Sequence, residues 1–281
     1  KPPGPPLHAL LIAEPLPLCR DHALMRRDRI VPLIIAVALF MENMDSTVIA
    51  TALPAMAEDL GTDPILLKLA FTTYLLSLTV FIPVSGWCAD RFGARNVFRA
   101  AIMVFTLGSI ACGLAQSLGG LVAARAVQGM GGAMMVPVGR IILLRSIPKS
   151  ELVDALAWLT IPALLGPLLG PPVGGFITTY FDWRWVFFMN VPFGIAAFAF
   201  ATVQMPGIEA GHVPPLDVTG FALSGLGLSS TVFGLTVMGR DLLPGYAPYV
   251  LVAFGLVMLG LYLRHARRSP HPILDLRLLR I

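Results

Sequence analysis

Charge is what this sequence has least of. Only 13% of its 281 residues are Asp, Glu, Lys or Arg, against roughly 25% in a typical soluble domain. A soluble globule needs a polar coat, and this composition cannot supply one. Cysteine is scarce too: the three residues Cys19, Cys88 and Cys112 are odd in number and show no CxxC spacing. That argues against a disulfide framework and against a zinc site. The five histidines, at positions 8, 22, 212, 265 and 271, all fall outside the apolar runs. Neither a Ser–His intramembrane protease nor a metalloenzyme can be assembled from them, and the expectation is a protein that is not an enzyme. No metal site is expected. No signal peptide is expected in this stretch, because Glu14, Pro15 and Pro17 interrupt the apolar run Ala9–Leu18 and no small-residue cleavage site follows.

Hydrophobic residues are abundant, at 56% of the chain, and the mean hydropathy is +0.79. A lipid coat accounts for both numbers. After Arg29 the apolar residues fall into eight segments, 31–54, 66–88, 97–115, 119–142, 155–179, 186–204, 217–238 and 246–264. Each has about the 20 residues that a helix needs to cross a bilayer. The fold class expected is an all-α membrane protein, with the lipid bilayer as its first partner.

The formal net charge of +4 and pI near 9.2 do not point to nucleic acid once the basic residues are placed. One set of loops and ends holds Lys1, Arg20, Arg26, Arg27, Arg29, Arg91, Arg95, Arg99, Arg140, Arg145, Lys149, Arg264, Arg267, Arg268, Arg277 and Arg280; the opposite set holds Lys68, Arg184 and Arg240. Such a bias puts both termini in the cytoplasm, with Trp183 and Trp185 at the outer interface. No nucleic-acid partner is expected.

Arg125 is the one basic residue left over, and it falls inside the fourth span. The first span carries two carboxylates, Glu42 and Asp45, three residues apart and so on one helical face. Counted from the outer surface at 1.5 Å per residue, Asp45 lies at a depth of ~14 Å and Arg125 at ~9 Å. An unpaired charge near mid-bilayer costs at least about 2.5–3.5 kcal/mol. The two residues are therefore expected in one polar interior, as a working pair or as a static one that only fixes packing. Glu42 lies deeper. It reads either as a counter-charge or second proton site, or as a neutral acid bonded to a neighbouring helix. Apolar residues nearby, Phe40, Met41, Met44, Phe71 and Tyr74, suit a promiscuous pocket or simple core packing.

Other motifs have readings of their own. In Gly86–Arg95 (GWCADRFGAR), Asp90 and Arg91 sit where the second span meets water, beside Gly86 and Gly93, which permit a tight turn and close helix approach. Opposite charges there suit a conformational latch, or a plain basic loop. Gly129, Gly131 and Gly132 put small residues on the fourth helix for packing. The fifth span has five glycines and prolines between Gly166 and Pro172, and such a helix is expected to bend or unwind locally.

Four motifs, in order, resemble the major facilitator superfamily and its fourteen-helix drug–proton antiporter branch: Met44–Pro54 (MDSTVIATALP), the Gly86–Arg95 loop, Arg125–Ala133 (RAVQGMGGA) and Leu165–Gly175 (LGPLLGPPVGG). Ala94 stands where many members have Arg, and Glu42 where an amide is common. The resemblance covers about residues 25–281. It implies a six-helix N-terminal half over 25–206, two additional helices over 207–266 and a tail over 267–281 that breaks off before a second half. Residues 1–24 are expected to be a disordered or non-native tail, since Met25 followed by Arg26 and Arg27 reads as a start.

The function implied is proton-coupled export of amphipathic, cationic small molecules from a bacterial inner membrane. The proton gradient would be the energy source, with no cofactor. Asp45 and Arg125 would couple the proton; Glu42, Phe40, Met44 and Tyr74 would form a substrate or second proton site. Gly86, Asp90, Arg91, Gly93 and Arg95 would form the latch loop. Gly166, Pro167, Gly170, Pro171, Gly174 and Gly175 would govern alternating access, and Gln128, Gly129 and Gly132 would pack helix 4. Substrate and protons are the partners implied, with a periplasmic adaptor left open. The alternative is a fragment or half-transporter that needs a partner half. A channel is disfavoured by the Gly/Pro-rich fifth span.

Overall fold

The computed structural model describes residues 17–207, 210–211, 213–238 and 244–273, with side chains from 30 onward. Most of the expected N-terminal tail, and Lys1, Arg240, Arg277 and Arg280, lie outside the described residues. Among the described residues nine helices follow in chain order: α1 Pro17–Asp59, α2 Pro64–Phe92, α3 Ala94–Gly113, α4 Leu118–Ser146, α5 Leu152–Tyr180, α6 Trp185–Phe188, α7 Asn190–Gln204, α8 Val218–Val237 and α9 Ala247–Ala266. Taken as α6 plus α7 for the sixth, they make eight stretches long and apolar enough to cross a membrane. Their ends fall within a few residues of those expected, apart from the extended start of α1. His265, expected beyond the last span, lies in the final turn of α9, where it meets the Asp217 carboxylate at 2.8 Å.

The connections are short because polar residues cap the helices directly. Asp63 accepts from the Ile65 amide at 2.7 Å, Ser117 from Gly120 at 3.2 Å and Asp217 from Gly220 at 2.8 Å, each satisfying an N-terminal N–H. Gly93, at φ +85, turns the chain from α2 directly into α3.

Helices α1 to α7 form one bundle, in which α1 packs chiefly on α5, and α4 on both α2 and α3. The α8–α9 hairpin joins it through α2, with Phe81 against Phe221 at 5.9 Å between ring centroids. Two apolar clusters fill the bundle. One gathers Ile34, Ile35, Leu39, Phe98, Phe105 and Ile142; the other gathers Val48, Ile49, Met56, Leu121, Trp183 and Phe187. Many large apolar side chains point outward, including Leu107, Leu144, Leu164, Leu168, Phe200 and Leu256. Lipid is the solvent that such a surface fits.

The fifth span does not unwind. Helix α5 runs unbroken through Pro162, Pro167, Pro171 and Pro172. Pro167, Pro171 and Pro172 sit on its exposed side, while Gly166, Gly170 and Gly174 form the buried stripe against α1. A Cβ at these glycines would stand 3.0 Å from Met44 N, 2.8 Å from Thr47 Cβ and 2.9 Å from Val48 O. The glycines therefore set how closely α1 and α5 approach. In the sixth span α6 and α7 are separated only by Met189, which keeps helical dihedrals, φ −61 and ψ −26. Pro192 has no N–H to return to the carbonyl of Phe188, four residues earlier, so the helical ladder is interrupted there.

Candidate functional site

Helices α1, α4 and α7 bring a polar cluster together between the two apolar clusters. Asp45 and Arg125 meet as the sequence requires: Arg125 Nη1 lies 2.6 Å from Asp45 Oδ2. The same Nη1 donates to Gln128 Oε1 at 2.7 Å, and Gln128 Nε2 donates to Asp45 Oδ1 at 2.9 Å. Arg125 and Gln128 are three residues apart on α4 and so share a face. Asn190 Nδ2, from the first residue of α7, donates to Asp45 Oδ1 at 2.9 Å and to Ser109 Oγ at 3.0 Å. Ser109, on α3, donates to the Phe187 carbonyl at 2.9 Å. Asp45, Arg125, Gln128, Asn190 and Ser109 are at most 2% exposed.

Aromatic faces complete the cationic side. The Arg125 guanidinium carbon lies 4.1 Å from the Tyr74 ring centroid and 5.9 Å from that of Phe187. Cation–π attraction is strongest where water is absent, as it is at this depth. The Tyr74 hydroxyl in turn donates to Glu42 Oε1 at 3.4 Å. The half-buried Glu42 thus stands one partner away from the Asp45–Arg125 pair. A buried ion pair contributes little net stability, because desolvation of both charges offsets their attraction.

The remaining expected residues separate into groups. Of those proposed to accompany Glu42, Tyr74 touches it. Met44 is buried in the second apolar cluster, and Phe40 packs against that cluster with its ring 5.8 Å from Phe193, edge-on. Gln128, read from sequence as a packing residue, belongs to the polar cluster. Gly129 and Gly132 do pack closely: a Cβ would stand 2.8 Å from the Tyr74 carbonyl at the first and 3.0 Å from the Tyr74 hydroxyl at the second. Among the described residues nothing lies within reach of a Cβ at Gly175 or Gly86, and none of them makes the close approach expected at Gly86.

At the opposite end of the bundle, Asp90 pairs with Arg145 at 2.8 Å rather than with its neighbour Arg91, which is exposed. Arg95 Nη2 donates to the Thr202 carbonyl, fixing α3 to α7. The chain after α7 returns to this corner, with Gly211 N donating to the Asp90 carbonyl at 2.8 Å and Trp87 Nε1 to the Pro214 carbonyl at 2.9 Å. Near the end of α1, Asp59 receives Arg184 Nη2 at 2.9 Å and Trp183 Nε1 at 3.1 Å. Trp183 is therefore turned inward, and only Trp185 of the two stays exposed.

Sequence reasoning missed Asn190 and Ser109. The available signal was a single asparagine inside an otherwise apolar span, two residues before Pro192.

Comparison with known proteins agrees with this architecture. The sequence model of the Major Facilitator Superfamily matches residues 35–270. Curated relatives from Escherichia coli O17:K52:H18 (strain UMN026 / ExPEC) and Shigella flexneri, both named "Putative multidrug resistance protein MdtD", are 40% identical over 247 residues, covering 88% of this chain and 52% of theirs. The chain spans about half the length of the curated relatives it matches. Among solved structures, the POT family transporter PepTSo superposes with a TM-score of 0.59 at 18% identity, covering 87% of this chain and 55% of that one. The human organic anion transporter MFSD10 gives 0.54 at 17%, covering 82% and 61%. At these identities the structural likeness concerns the fold alone.

Proposed function

The chain belongs to the Major Facilitator Superfamily, and from that membership we propose that it supplies the proton-handling bundle of an exporter of amphipathic, cationic small molecules. In this reading Asp45 carries the exchanged proton and Arg125 is the fixed cation that answers it. The buried pair at 2.6 Å is the observation that supports the reading most. It places an ionisable carboxyl where a charge is costly, which in a membrane protein marks a relay or a pathway. The name of the relatives at 40% identity favours drugs as the cargo.

Glu42, one hydroxyl away through Tyr74, offers a negative charge to a cationic substrate near the middle of the bilayer, where transporter sites tend to lie. The full cycle, in which two bundles rock about a central site, is proposed for the whole protein to which these spans belong. The membrane proposed is the bacterial inner membrane, with the Asp90–Arg145 corner facing the cytoplasm, as the basic residues suggest.

The test is proton-driven accumulation of a cationic dye in everted vesicles containing the whole protein. Asp45→Asn is expected to abolish it, and unchanged accumulation in that variant would remove the coupling assignment. Glu42→Gln is expected to lose cationic substrates and keep neutral ones; equal activity on both would refute the counter-charge role.

A further inference from the structure

We propose that Asn190 is a positioning residue that reads the protonation of Asp45 by turning its side-chain amide over. The inference rests on the reading of Asp45 as the proton site, and it adds how the sixth span learns of the proton.

Every neighbour of the Asp45 carboxylate donates. Arg125 Nη1 faces Oδ2, while Gln128 Nε2 and Asn190 Nδ2 face Oδ1. When a hydronium ion, reaching Asp45 in a conformation of the whole protein that opens this site to water, gives its proton to Oδ1, an O–H bond forms there and water is left behind. The new O–H then faces two N–H groups, and one of them must give way, because a donor cannot satisfy a donor. Oδ2 is the poorer place for the proton, since it faces the Arg125 cation.

Gln128 cannot turn. Its Oε1 accepts from Arg125 Nη1 at 2.7 Å and from Cys112 Sγ at 3.5 Å, and inversion would set its N–H groups against a guanidinium that has no acceptor. Asn190 can turn. Its second partner is the Ser109 hydroxyl at 3.0 Å, which accepts from Nδ2 now and can donate to Oδ1 after inversion by releasing the Phe187 carbonyl. Among the described residues, Asn190 Oδ1 accepts no hydrogen bond that inversion would break.

The ionisable groups around Asp45 are Glu42 on its own helix, Tyr74 on α2, Cys112 on α3 and Arg125 on α4. Helices α6 and α7 carry no ionisable side chain, and Asp154 and Tyr180 lie at the ends of α5. Because Asn190 opens α7 and Phe187 lies in α6, its inversion and the loss of the Ser109–Phe187 bond alter the contacts of the sixth span on both sides of Met189.

The chain suits a direct test, having three asparagines, Asn43, Asn96 and Asn190, and three glutamines, Gln116, Gln128 and Gln204. The protein is placed in lipid nanodiscs with 15N in the asparagine and glutamine side chains and 13C in the aspartate carboxyls. Spectra are recorded from pH 5 to 9, with resonances assigned by their loss in Asn190→Gln, Gln128→Glu and Asp45→Asn. The expected result is an Asn190 side-chain amide that shifts with the same midpoint as the Asp45 carboxyl, beside an unmoved Gln128 amide, and that is fixed at all pH values in Asp45→Asn. A titrating Asp45 with a silent Asn190 overturns the inversion alone. An Asp45 carboxyl that never titrates overturns the proton-site reading, and the inversion with it.

Discussion

Asp45 takes hydrogen bonds from Arg125 and Gln128 of α4 and from Asn190 of α7, and none of these groups can accept one in its present orientation. Removing one partner of such a pair leaves an uncompensated buried charge, which costs about 3–5 kcal/mol. Arg125→Leu is therefore expected to lower the thermal unfolding temperature of the purified protein markedly. The double variant Asp45→Asn/Arg125→Gln should recover most of that loss, since two amides can satisfy each other without charge. A single variant as stable as the wild type would mean that the ionised pair is absent. The pairing of Asp45 with Arg125 was legible in the sequence, because both are charges at nearly the same depth and each needs an answer. Asn190 and Ser109 were not, since a neutral polar side chain in a span has many ways of being satisfied. Which way it turns depends on helix rotations that a single sequence leaves free.

Helix α5 shows what the element scale adds. Of the bending or unwinding that the composition suggests, the unwinding does not occur: three of the prolines occupy the exposed side and the glycines the buried one, so a continuous helix serves close packing. At Gly170 a Cβ would stand 2.8 Å from Thr47 Cβ, whereas at Gly175 it would meet nothing. Gly170→Ala is expected to destabilise the bundle by about 1–3 kcal/mol through overpacking. Gly175→Ala, in the same motif, should stay within about 0.5 kcal/mol of the wild type, as read by thermal or denaturant unfolding in detergent. Equal effects would mean that the stripe against α1 does not set the helix spacing. The number and limits of the spans were visible in the hydropathy because lipid imposes length.

For the whole molecule, a multi-pass membrane protein of the superfamily, the proposed orientation can be checked by labelling. Cysteines introduced by Asp182→Cys and Lys149→Cys are expected to react with a membrane-impermeant reagent from opposite sides, the first from the periplasm and the second from the cytoplasm. Reaction from one side would undo the topology. The Asp90–Arg145 pair is 42% and 46% exposed, and pairs in that setting contribute about 0–1 kcal/mol. Asp90→Asn should thus barely change the unfolding temperature, and any large loss of transport in it would reflect a state-dependent contact rather than misfolding.

The central claim is that the exchanged proton resides on Asp45. The most direct measurement adds a cationic substrate to the purified whole protein in lightly buffered detergent and records the protons released as it binds. Release is expected from the wild type and none from an Asp45→Asn variant that still binds the substrate. Equal release from both would contradict it.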